Sequence, residues 1–485
     1  MSSCFGDLML KFSRWTVLAV FAAVSAWALA LAPAHAESLN EALASAYQYN
    51  PRLDAERARL RATDENVAIA NSAFRPSITS QADFSRQYSN SQPQRPGFVD
   101  NNGTTNPKTY QLNASQLLFN GFSTTNAVSG AEAGVRAGRE QLRSVEQEVL
   151  LDAVTAFMDT VRDQAILRLR ESNVGFLTKE LKATQDRFAV GEVTRTDVAQ
   201  SQARRAGAIS QLDLAQANLK SSRARYEQVI GHPPGNLNEP HGYEAVLPRS
   251  LNEAVDTAMA ESPTVVAGLF LESQARFQVD QIRGELLPQV SVSANLTDSF
   301  EPSKQVEEQE RASVTGRVFV PIYENGGEIY ARVRQAKHTH VSRLQEIEQR
   351  RTEVQAQVTG AWSQLQAARA QLQSDKVQVE SNQIALAGVR EEERVGQRTL
   401  LDVLDAQLEL VTSQVQQVGT RRNVVVNSYA VLQTIGRLEM AQLGVVSSVY
   451  DPTVHADEVR RKWFGLSITH EDGRTERVDT YAPVK

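Results

Sequence analysis

Two carboxylates in the second half of the chain, Asp402 and Asp405, are the strongest candidates for a functional role. They are three residues apart, so on a helix they share one face and together attract cations. Asp402 also has a structural explanation, because Thr399-x-x-Asp402 is the pattern of a capping box that opens a helix. Asp405 has no such explanation, which favours a functional role for it.

No other cluster of side chains indicates catalysis. His338 and His340 are two residues apart on a predicted helix and point about 200° away from each other, so a solvated face is favoured over a metal site. The only cysteine, Cys4, lies within the first 36 residues and offers no thiol to the rest of the chain. We predict that the protein is not an enzyme and needs no cofactor or metal.

Residues 1–36 are predicted to be a cleaved signal peptide. Lys11 and Arg14 precede an apolar run, and Ala34-His35-Ala36 is typical of a cleavage site rather than of a membrane anchor. The formal net charge of −6 gives no indication of nucleic-acid binding. No later segment has the roughly 20 apolar residues of a spanning helix, so an exported chain that crosses a membrane is expected to use strands in a closed barrel.

The chain contains one internal duplication. The segment from Ser38 to Ala42 returns as the segment from Ser250 to Ala254, and Val190-Gly191 returns as Val395-Gly396. Asp197 matches Asp402, whereas Asp405 matches Gln200, so the duplication itself does not demand an acid at position 405. A unit of about 200 residues is too long for a solenoid repeat. We predict a first repeat at 37–247, a second at 248–447 and a C-terminal periplasmic tail at 448–485.

Each repeat is predicted to contain a long helical hairpin. Proline is absent between Pro107 and Pro233 and between Pro321 and Pro452, which suits very long helices. Apolar residues recur in seams with an average spacing of 3.5 residues, typical of helices that pack along their length. The first long helix shows two seams and therefore has two neighbours. Seam residues include Val135, Leu142, Val149, Leu150, Val154, Phe157, Val354, Val358, Leu365, Leu404, Leu408 and Val411.

Two strand hairpins are predicted, at about 76–90 with 108–120 and about 289–299 with 311–321. Apolar and polar residues alternate there, as in a barrel with a water-filled lumen, although a half-buried sheet of a soluble domain shows the same alternation. Phe119, Phe122, Phe319 and Tyr323 cluster where the strands are expected to end, as an aromatic girdle would require. Four strands are too few for a membrane barrel, so closure is expected to need several copies.

The segment from Val395 to Ala406, VGQRTLLDVLDA, carries the most specific resemblance. It resembles the second-repeat tip of the TolC family of outer-membrane efflux and secretion channel proteins, and the likeness extends over about residues 37–445. This resemblance implies an α+β membrane protein: a homotrimer whose twelve-stranded barrel lies in outer-membrane lipid and continues as a long α-helical barrel in the periplasm. It further implies an exit duct for efflux or type I secretion, supplied by an inner-membrane pump and a periplasmic adaptor.

The resemblance also assigns roles to residues at the two hairpin tips. It implies that Asp402 and Asp405 form acidic rings near the closed periplasmic mouth, where crowding of like charges raises some carboxyl pKa values. The positions that match links holding the mouth closed are Arg398, Thr196, Asp197 and Glu393, and those that match the adaptor-docking tips are Val190, Gly191, Val395 and Gly396.

One of these positions departs from the family pattern. Glu393 stands where the family has a tyrosine, and a carboxylate cannot donate a hydrogen bond to Asp197 unless one of the two acids is protonated. Arg394 or Arg195 is expected to bridge the acids instead. This arrangement predicts a closure that depends on pH and salt.

Two other classes of protein remain open at this stage. A periplasmic structural coiled-coil adaptor without a channel would use the hairpins but leave the alternating strands unexplained. An exported binding protein or enzyme would need a pocket with convergent polar groups, which the sequence does not offer. The exported substrate is equally open, since drug efflux, protein secretion and polysaccharide export use similar ducts.

Overall fold

The computed structural model describes residues 37–90, 103–240, 247–444, 449–469 and 475–476. The predicted signal peptide lies outside the described residues. The first half comprises α1 (Leu39–Tyr49), α2 (Pro51–Ser72), β1 (Ser77–Phe84), β2 (Gln87–Ser89), β3 (Gly103–Thr105), β4 (Lys108–Asn120), α3 (Ser123–Ala189) and α4 (Arg195–Ile230).

The second half repeats this order. It comprises α5 (Leu251–Glu261), α6 (Pro263–Gly284), β5 (Gln289–Ser303), β6 (Val306–Phe319), a 3-10 turn (Asn325–Gly327), α7 (Glu328–Arg394) and α8 (Leu400–Thr434). Four short elements follow: α9 (Met440–Leu443), α10 (Thr453–Arg461), β7 (Ile468–Thr469) and β8 (Thr475–Glu476). No helix in the described part of the chain has an apolar stretch long enough to cross a membrane.

The helices lie side by side in four columns. The helices α3 and α7, of 67 residues each, are continuous columns about 100 Å long. The other two columns each combine shorter helices, α1 and α2 with α4, and α5 and α6 with α8. Helix α3 packs against α2 and α4 on one side and against α6 and α8 on the other. Both seams predicted on α3 are buried, which agrees with its two neighbours.

The breaks between the short helices follow from local chemistry. Pro51 is the first residue of α2, a position where its missing N–H costs nothing. The Asn50 side chain caps α2 by accepting a hydrogen bond from the Arg52 N–H, at 3.0 Å. In the second half, Pro263 likewise begins α6, although Ser262 makes no side-chain capping hydrogen bond. Each break lets the chain turn slightly while it continues along one column.

The main hydrophobic core lies where the short helices α1 and α5 meet the long ones. Its largest fully buried side chains include Tyr226, Tyr429, Phe157, Leu43, Leu365 and Ile435. Toward the hairpin tips the packing thins to small clusters such as Leu177, Ala208, Leu400 and Leu404. The predicted seam is wrong at Leu408, which is 44% exposed, because α8 turns Leu410 and Val411 inward instead.

Four strands form one antiparallel sheet in the order β1-β4-β5-β6. The pairing register places residues of like polarity opposite each other, and side chains alternate between the two faces along each strand. One face carries the apolar row Ile78, Ala114, Ala294 and Val314, and the other carries the polar row Asn113, Asn295 and Ser313. The sheet therefore has one apolar and one polar face, with β1 and β6 at its edges.

The strands differ in length from the prediction. The second hairpin continues to a turn at Lys304 and Gln305, so residues 300 to 310, expected to be a loop, belong mostly to strands. The run from Glu307 to Arg311 is polar on both faces, and a strand with water on both sides needs no apolar alternation. In the first half the predicted strand near 76–90 is divided into β1 and β2, and residues 91–102 lie outside the described residues.

The described part of the C-terminal tail packs against the helices. Helix α10 packs against α2, and its His455 contacts Asp64 at 3.0 Å. Arg460 donates to Glu132 of α3 at 2.5 Å. These contacts align α10 with α2, because a buried carboxyl group needs a hydrogen-bond partner and His455 supplies one.

Candidate functional site at the helix tips

The two long helices end in matching turns at the end of the molecule remote from the sheet. Gly191 has a φ of 81° and Gly396 a φ of 78°, in the left-handed region that favours glycine. The Glu192 N–H donates to the Arg187 carbonyl at 2.9 Å, which satisfies the end of α3. Each turn exposes an apolar side chain to solvent, Val190 at the first tip and Val395 at the second.

Both predicted capping boxes are present. Thr194 and Asp197 exchange hydrogen bonds at the start of α4, with the Thr194 N–H donating to Asp197 Oδ2 at 2.8 Å. Thr399 and Asp402 do the same at the start of α8, at 2.9 Å. The donated hydrogen bonds from the threonine lower the pKa of each aspartate below its usual value. Within one chain, therefore, the capping box keeps Asp402 ionised, whereas the trimeric ring was expected to raise carboxyl pKa values.

Glu393 is paired with Arg187, a partner that the sequence analysis missed. Arg187 Nη1 of α3 donates to Glu393 Oε1 of α7 at 2.7 Å, and Glu180 lies 3.6 Å from the same guanidinium. This hydrogen bond and the adjacent carboxylates raise the pKa of Arg187. Of the two arginines expected to bridge here, Arg394 instead pairs with Glu391 of its own helix, at 3.1 Å. The position of the family's tyrosine thus carries a salt bridge between the two hairpins.

Arg398 is held by its own hairpin. Its Nε donates to Glu392 Oε2 at 3.0 Å, across the turn that joins α7 to α8. Both side chains are about half exposed, so the pair contributes little to stability by itself. Thr196 lies exposed in the first turn of α4, and Asp197 is engaged in its capping box. To form a link with Thr196 or Asp197, Arg398 would therefore have to release Glu392.

Asp405 also has a partner that the sequence analysis missed. Arg204 of α4 donates to Asp405 of α8, which joins the returning arms of the two hairpins. Repeat alignment contains a signal for such partners, because Arg204 and Arg187 correspond to Glu409 and Glu392 in the second half. Positions that carry opposite charges in the two repeats are where the repeats contact each other.

A cavity of about 570 Å³ lies beside this pair, between α3, α4 and α8. Asn173 and Gln407, hydrogen bonded to each other at 3.1 Å, form part of its wall. Arg170 also lines it, and burial lowers the pKa of that guanidinium. The lining of the cavity is mixed, since Leu177 and Leu404 also belong to it. It carries positive charge from Arg170 and Arg204, of which Arg204 is compensated by Asp405.

Neither histidine of the pair 338 and 340 takes part in a metal site. His340 Nε2 lies 2.6 Å from Glu272 Oε1, so this ring packs against α6 rather than facing only solvent. Across the ranges that the structure describes, no group of three or more metal-binding side chains is placed to hold an ion.

Comparison with known proteins gives this architecture a family. The sequence pattern described as outer membrane efflux protein matches residues 42–232 and 254–437, which covers both hairpins and both strand pairs. The chain belongs to the outer membrane efflux protein family. It is 39% identical over 440 residues to the outer membrane efflux protein BepC of Brucella suis, covering 90% of this chain and 93% of that protein.

More distant members share the fold. The outer membrane protein TolC of Escherichia coli is 24% identical over 423 residues, 84% of each chain. The crystal structure of the Campylobacter jejuni CmeC outer membrane channel has a TM-score of 0.73 at 17% identity, covering 87% of this chain and 89% of that one. The family consists of channel proteins of the outer membrane and not of enzymes.

Proposed function

We propose that three copies of this chain form an outer-membrane exit duct that passes substrates from an inner-membrane pump and a periplasmic adaptor to the exterior, in efflux or type I secretion. The observation that carries this proposal is the pairing of two features in one family member: a sheet with one apolar and one polar face, and a palisade of helices about 100 Å long. The first feature fits lipid and water on its two sides, and the second fits a tunnel across the periplasm.

The edges of the sheet support assembly of several copies, for which we propose three. Edge strands expose unpaired N–H and C=O groups, which lipid cannot satisfy. Both β1 and β6 are edge strands in the single chain, and pairing β6 of one copy with β1 of the next removes every edge. Three copies provide twelve strands and twelve helical columns. Fewer copies would fall below or only reach the roughly eight strands of the smallest membrane barrels.

The closed mouth is proposed to lie at the hairpin tips. Arg187 with Glu393 and Arg204 with Asp405 each join the first hairpin to the second within a chain. Arg398, Thr196 and Asp197 are proposed to supply further links between chains when the mouth is closed. Opening then requires the hairpins to separate, which breaks these ion pairs while leaving the capping boxes within each hairpin intact.

Asp402 and Asp405 are proposed to form two acidic rings at this mouth. Asp402 is partly exposed and its capping hydrogen bonds lower its pKa, so three copies would contribute three negative charges at one level. Arg204 compensates Asp405 within each chain, which makes the second ring weaker than its carboxylates alone suggest. Cations are expected to bind at the first ring and, when Arg204 is removed, more strongly at the second.

The adaptor is proposed to dock at the tips, on Val190 with Gly191 and on Val395 with Gly396. Each tip exposes a valine beside a glycine whose missing side chain leaves open space around the backbone. A partner helix can therefore approach the turn closely. Crosslinkers placed at Glu192 or Gln397 in cells are expected to capture an adaptor, and their failure to do so would contradict docking at the tips.

Single-channel conductance in a planar bilayer tests the duct and the acidic mouth together. A cation about 8 Å from each of three carboxylates in water gains roughly 1.5 kcal/mol, or about tenfold in affinity. Asp405→Ala is therefore expected to weaken block by a divalent or trivalent cation about tenfold, and Arg204→Ala is expected to strengthen it. Asp213→Ala, an exposed acid further along α4, is the matched control. Unchanged block in both variants would remove Asp405 from the mouth, and absence of any conductance would contradict the duct.

The alternative of a periplasmic coiled-coil adaptor without a channel is less well supported. It accounts for the helical hairpins but gives no role to a sheet whose apolar rows are matched across four strands. In addition, CmeC, which shares the fold of this chain, is described as an outer membrane channel.

A further inference from the structure

The C-terminal segment exposes a group of large apolar side chains. Trp463 is 60% exposed, Phe464 88% and Leu466 82%, and Ile468 is exposed next to them. We call Trp463, Phe464, Leu466 and Ile468 the tail patch. A contiguous apolar patch on a protein surface marks a site of interaction with a partner or a membrane.

The tail patch is held in place by three contacts along α10. His455 meets the buried Asp64 at 3.0 Å, Arg460 meets Glu132 at 2.5 Å, and Arg75 Nη1 donates to the Lys462 carbonyl at 3.0 Å. These partners lie progressively closer to the strands, since α2 leads into β1. Helix α10 therefore runs toward the sheet, and the tail patch that follows it lies at the C-terminal end of α2.

Arg75 fixes the level of the tail patch relative to the sheet. Its guanidinium lies over the Trp463 ring, 4.7 Å from the ring centre, and β1 begins two residues later at Ser77. Gln116 of β4 also donates to the Phe74 carbonyl at 3.1 Å, so this junction is fastened to the strands themselves. Trp463 thus lies at the rim where the strands meet the helices.

The same rim carries other exposed apolar side chains. They come from three of the four junctions between a strand and a long or short helix of the two repeats, and they are Phe74, Phe119, Phe122, Phe319, Val320, Ile322 and Tyr323. Aromatic residues concentrate at the boundary between lipid and water, where their rings are compatible with both. The tail patch adds to these apolar side chains at the rim, at a position outside the sheet.

The residues beside the tail patch are basic. Arg461 is exposed immediately before Lys462, and Arg75 stacks on the tryptophan ring. Aromatic side chains flanked by arginine and lysine are typical of segments that lie in a membrane surface, where the apolar groups enter the headgroup region and the cations meet phosphate. The composition thus matches a phospholipid surface better than the apolar interior of a protein interface, from which charge is depleted.

We propose that the tail patch inserts into the headgroup region of the periplasmic leaflet of the outer membrane and contacts phospholipid there. This inference rests on the proposed barrel, which sets the rim at that leaflet. The tail patch thereby acts as a membrane contact outside the barrel, one for each copy of the chain. A second copy of the chain is the competing occupant, and the test below distinguishes the two.

The two tryptophans of the described residues make a direct test possible. Trp362 lies in α7, 34 residues from the start of that helix, and so about 50 Å from the rim. Trp362→Phe leaves Trp463 as the reporter in the mature protein, and Trp463→Phe leaves Trp362 as the matched control. Each variant is reconstituted into vesicles of plain phospholipid or of phospholipid brominated in the upper part of its acyl chains, which quenches tryptophan by contact.

We expect brominated lipid to remove about half or more of the Trp463 emission, as for a ring buried about 5 to 10 Å into the interface, and to leave Trp362 unchanged. Adding Phe464→Ser and Leu466→Ser is expected to reduce this quenching, because the patch then loses its apolar contact with lipid. Conductance of the same preparations reports separately on the proposed channel.

Three results would overturn the inference. Trp463 quenched by aqueous iodide but not by brominated lipid would show a patch in water. Trp463 protected from both, with a photocrosslinker at position 464 capturing a second copy, would show a contact between chains. Quenching unaffected by the two serine substitutions would show mere proximity. Each of these results with normal conductance would refute the tail patch alone, whereas loss of conductance in the unsubstituted protein would refute the channel.

Discussion

Glu146 is expected to make the stability of this protein depend on pH near neutrality. It lies on α3 where α9 packs against it, and its Oε1 accepts a hydrogen bond from the Met440 N–H at 3.0 Å. Burial, together with the negative charge of Glu439, raises the pKa of Glu146 to about 7, and the attraction of Arg57 and Arg143 only partly opposes this. The carboxyl is therefore protonated in the folded protein at pH values where it ionises in the unfolded chain.

The sign and size of the effect follow from linkage between proton binding and folding. The pKa rises from 4.5 to about 7, and each unit corresponds to about 1.36 kcal/mol, so the full cost of ionising the buried group is about 3 kcal/mol. Because Glu146 keeps some solvent exposure, we expect about 2 kcal/mol. The folded state binds the proton more tightly, so stability falls as the pH rises from about 4.5 through about 7.

Glu146→Gln removes the titrating group and keeps an acceptor for the Met440 N–H. We expect this variant to match the parent near pH 5 and to be about 2 kcal/mol more stable near pH 8. Thermal midpoints in detergent across this range measure the effect. The difference between variant and parent is the informative quantity, because the titration of all other groups cancels in it.

Glu148→Gln is the matched control for this experiment. Glu148 lies on the same helix and forms a partly exposed ion pair with Arg52, so its loss is expected to cost less than about 1 kcal/mol. The reasoning about Glu146 is refuted if the difference between the Glu146→Gln variant and the parent does not change between about pH 5 and 8.

Two further predictions concern the tips and the tail. Glu393→Gln removes the charge opposite Arg187, which lies 2.7 Å away, and is expected to weaken the link by about 1 kcal/mol, measured as more frequent channel openings in a planar bilayer. His455→Ala leaves the Asp64 carboxyl, 1% exposed, without its hydrogen-bond partner on α10, and is expected to destabilise docking of α10 by about 1 to 3 kcal/mol, measured as faster proteolysis of the C-terminal segment. Burial raises the pKa of Asp64, so ionisation of this carboxyl is expected to lower the stability of the docked segment as the pH rises.

Matched controls exist for both predictions. Arg394→Gln removes a fully exposed pair within one helix and should leave the openings unchanged, so equal behaviour of Arg394→Gln and Glu393→Gln would contradict a gating role for Glu393. Arg460→Ala removes a more exposed pair with Glu132 and should loosen the tail by less than about 1 kcal/mol. A tail equally resistant to protease in the parent and in His455→Ala would show that docking does not depend on Asp64.

The features that sequence analysis predicted well are local ones. The capping boxes at Thr194 and Thr399 join residues three apart, and the turn glycines follow from the backbone alone, so neighbouring residues determine them. The two seams of α3 were predictable for a similar reason. Each apolar seam along a helix faces one neighbouring helix, so two seams indicate two neighbours.

The features that it missed depend on contacts between distant segments. The pairs of Arg187 with Glu393 and of Arg204 with Asp405 join residues about 200 positions apart, and they depend on how each helix is rotated about its axis. Docking of α10 depends on contacts such as that of His455 with the buried Asp64 of α2, residues 391 positions apart in the sequence. The outer part of the second hairpin was missed because strands in water need not alternate in polarity.

The opposite charges at corresponding positions of the two repeats bear on the fidelity of assembly. In the proposed ring of six hairpins, two second-repeat tips side by side would bring Glu393 against Glu392, the counterpart of Arg187, whereas two first-repeat tips would bring Arg187 against Phe188, the counterpart of Glu393. The pair of Arg187 with Glu393 forms only between unlike tips, which favours alternation of first and second tips around the proposed ring. Gene duplication supplied two similar arms, and the later divergence of a few charges makes contact between unlike arms more favourable than contact between like ones.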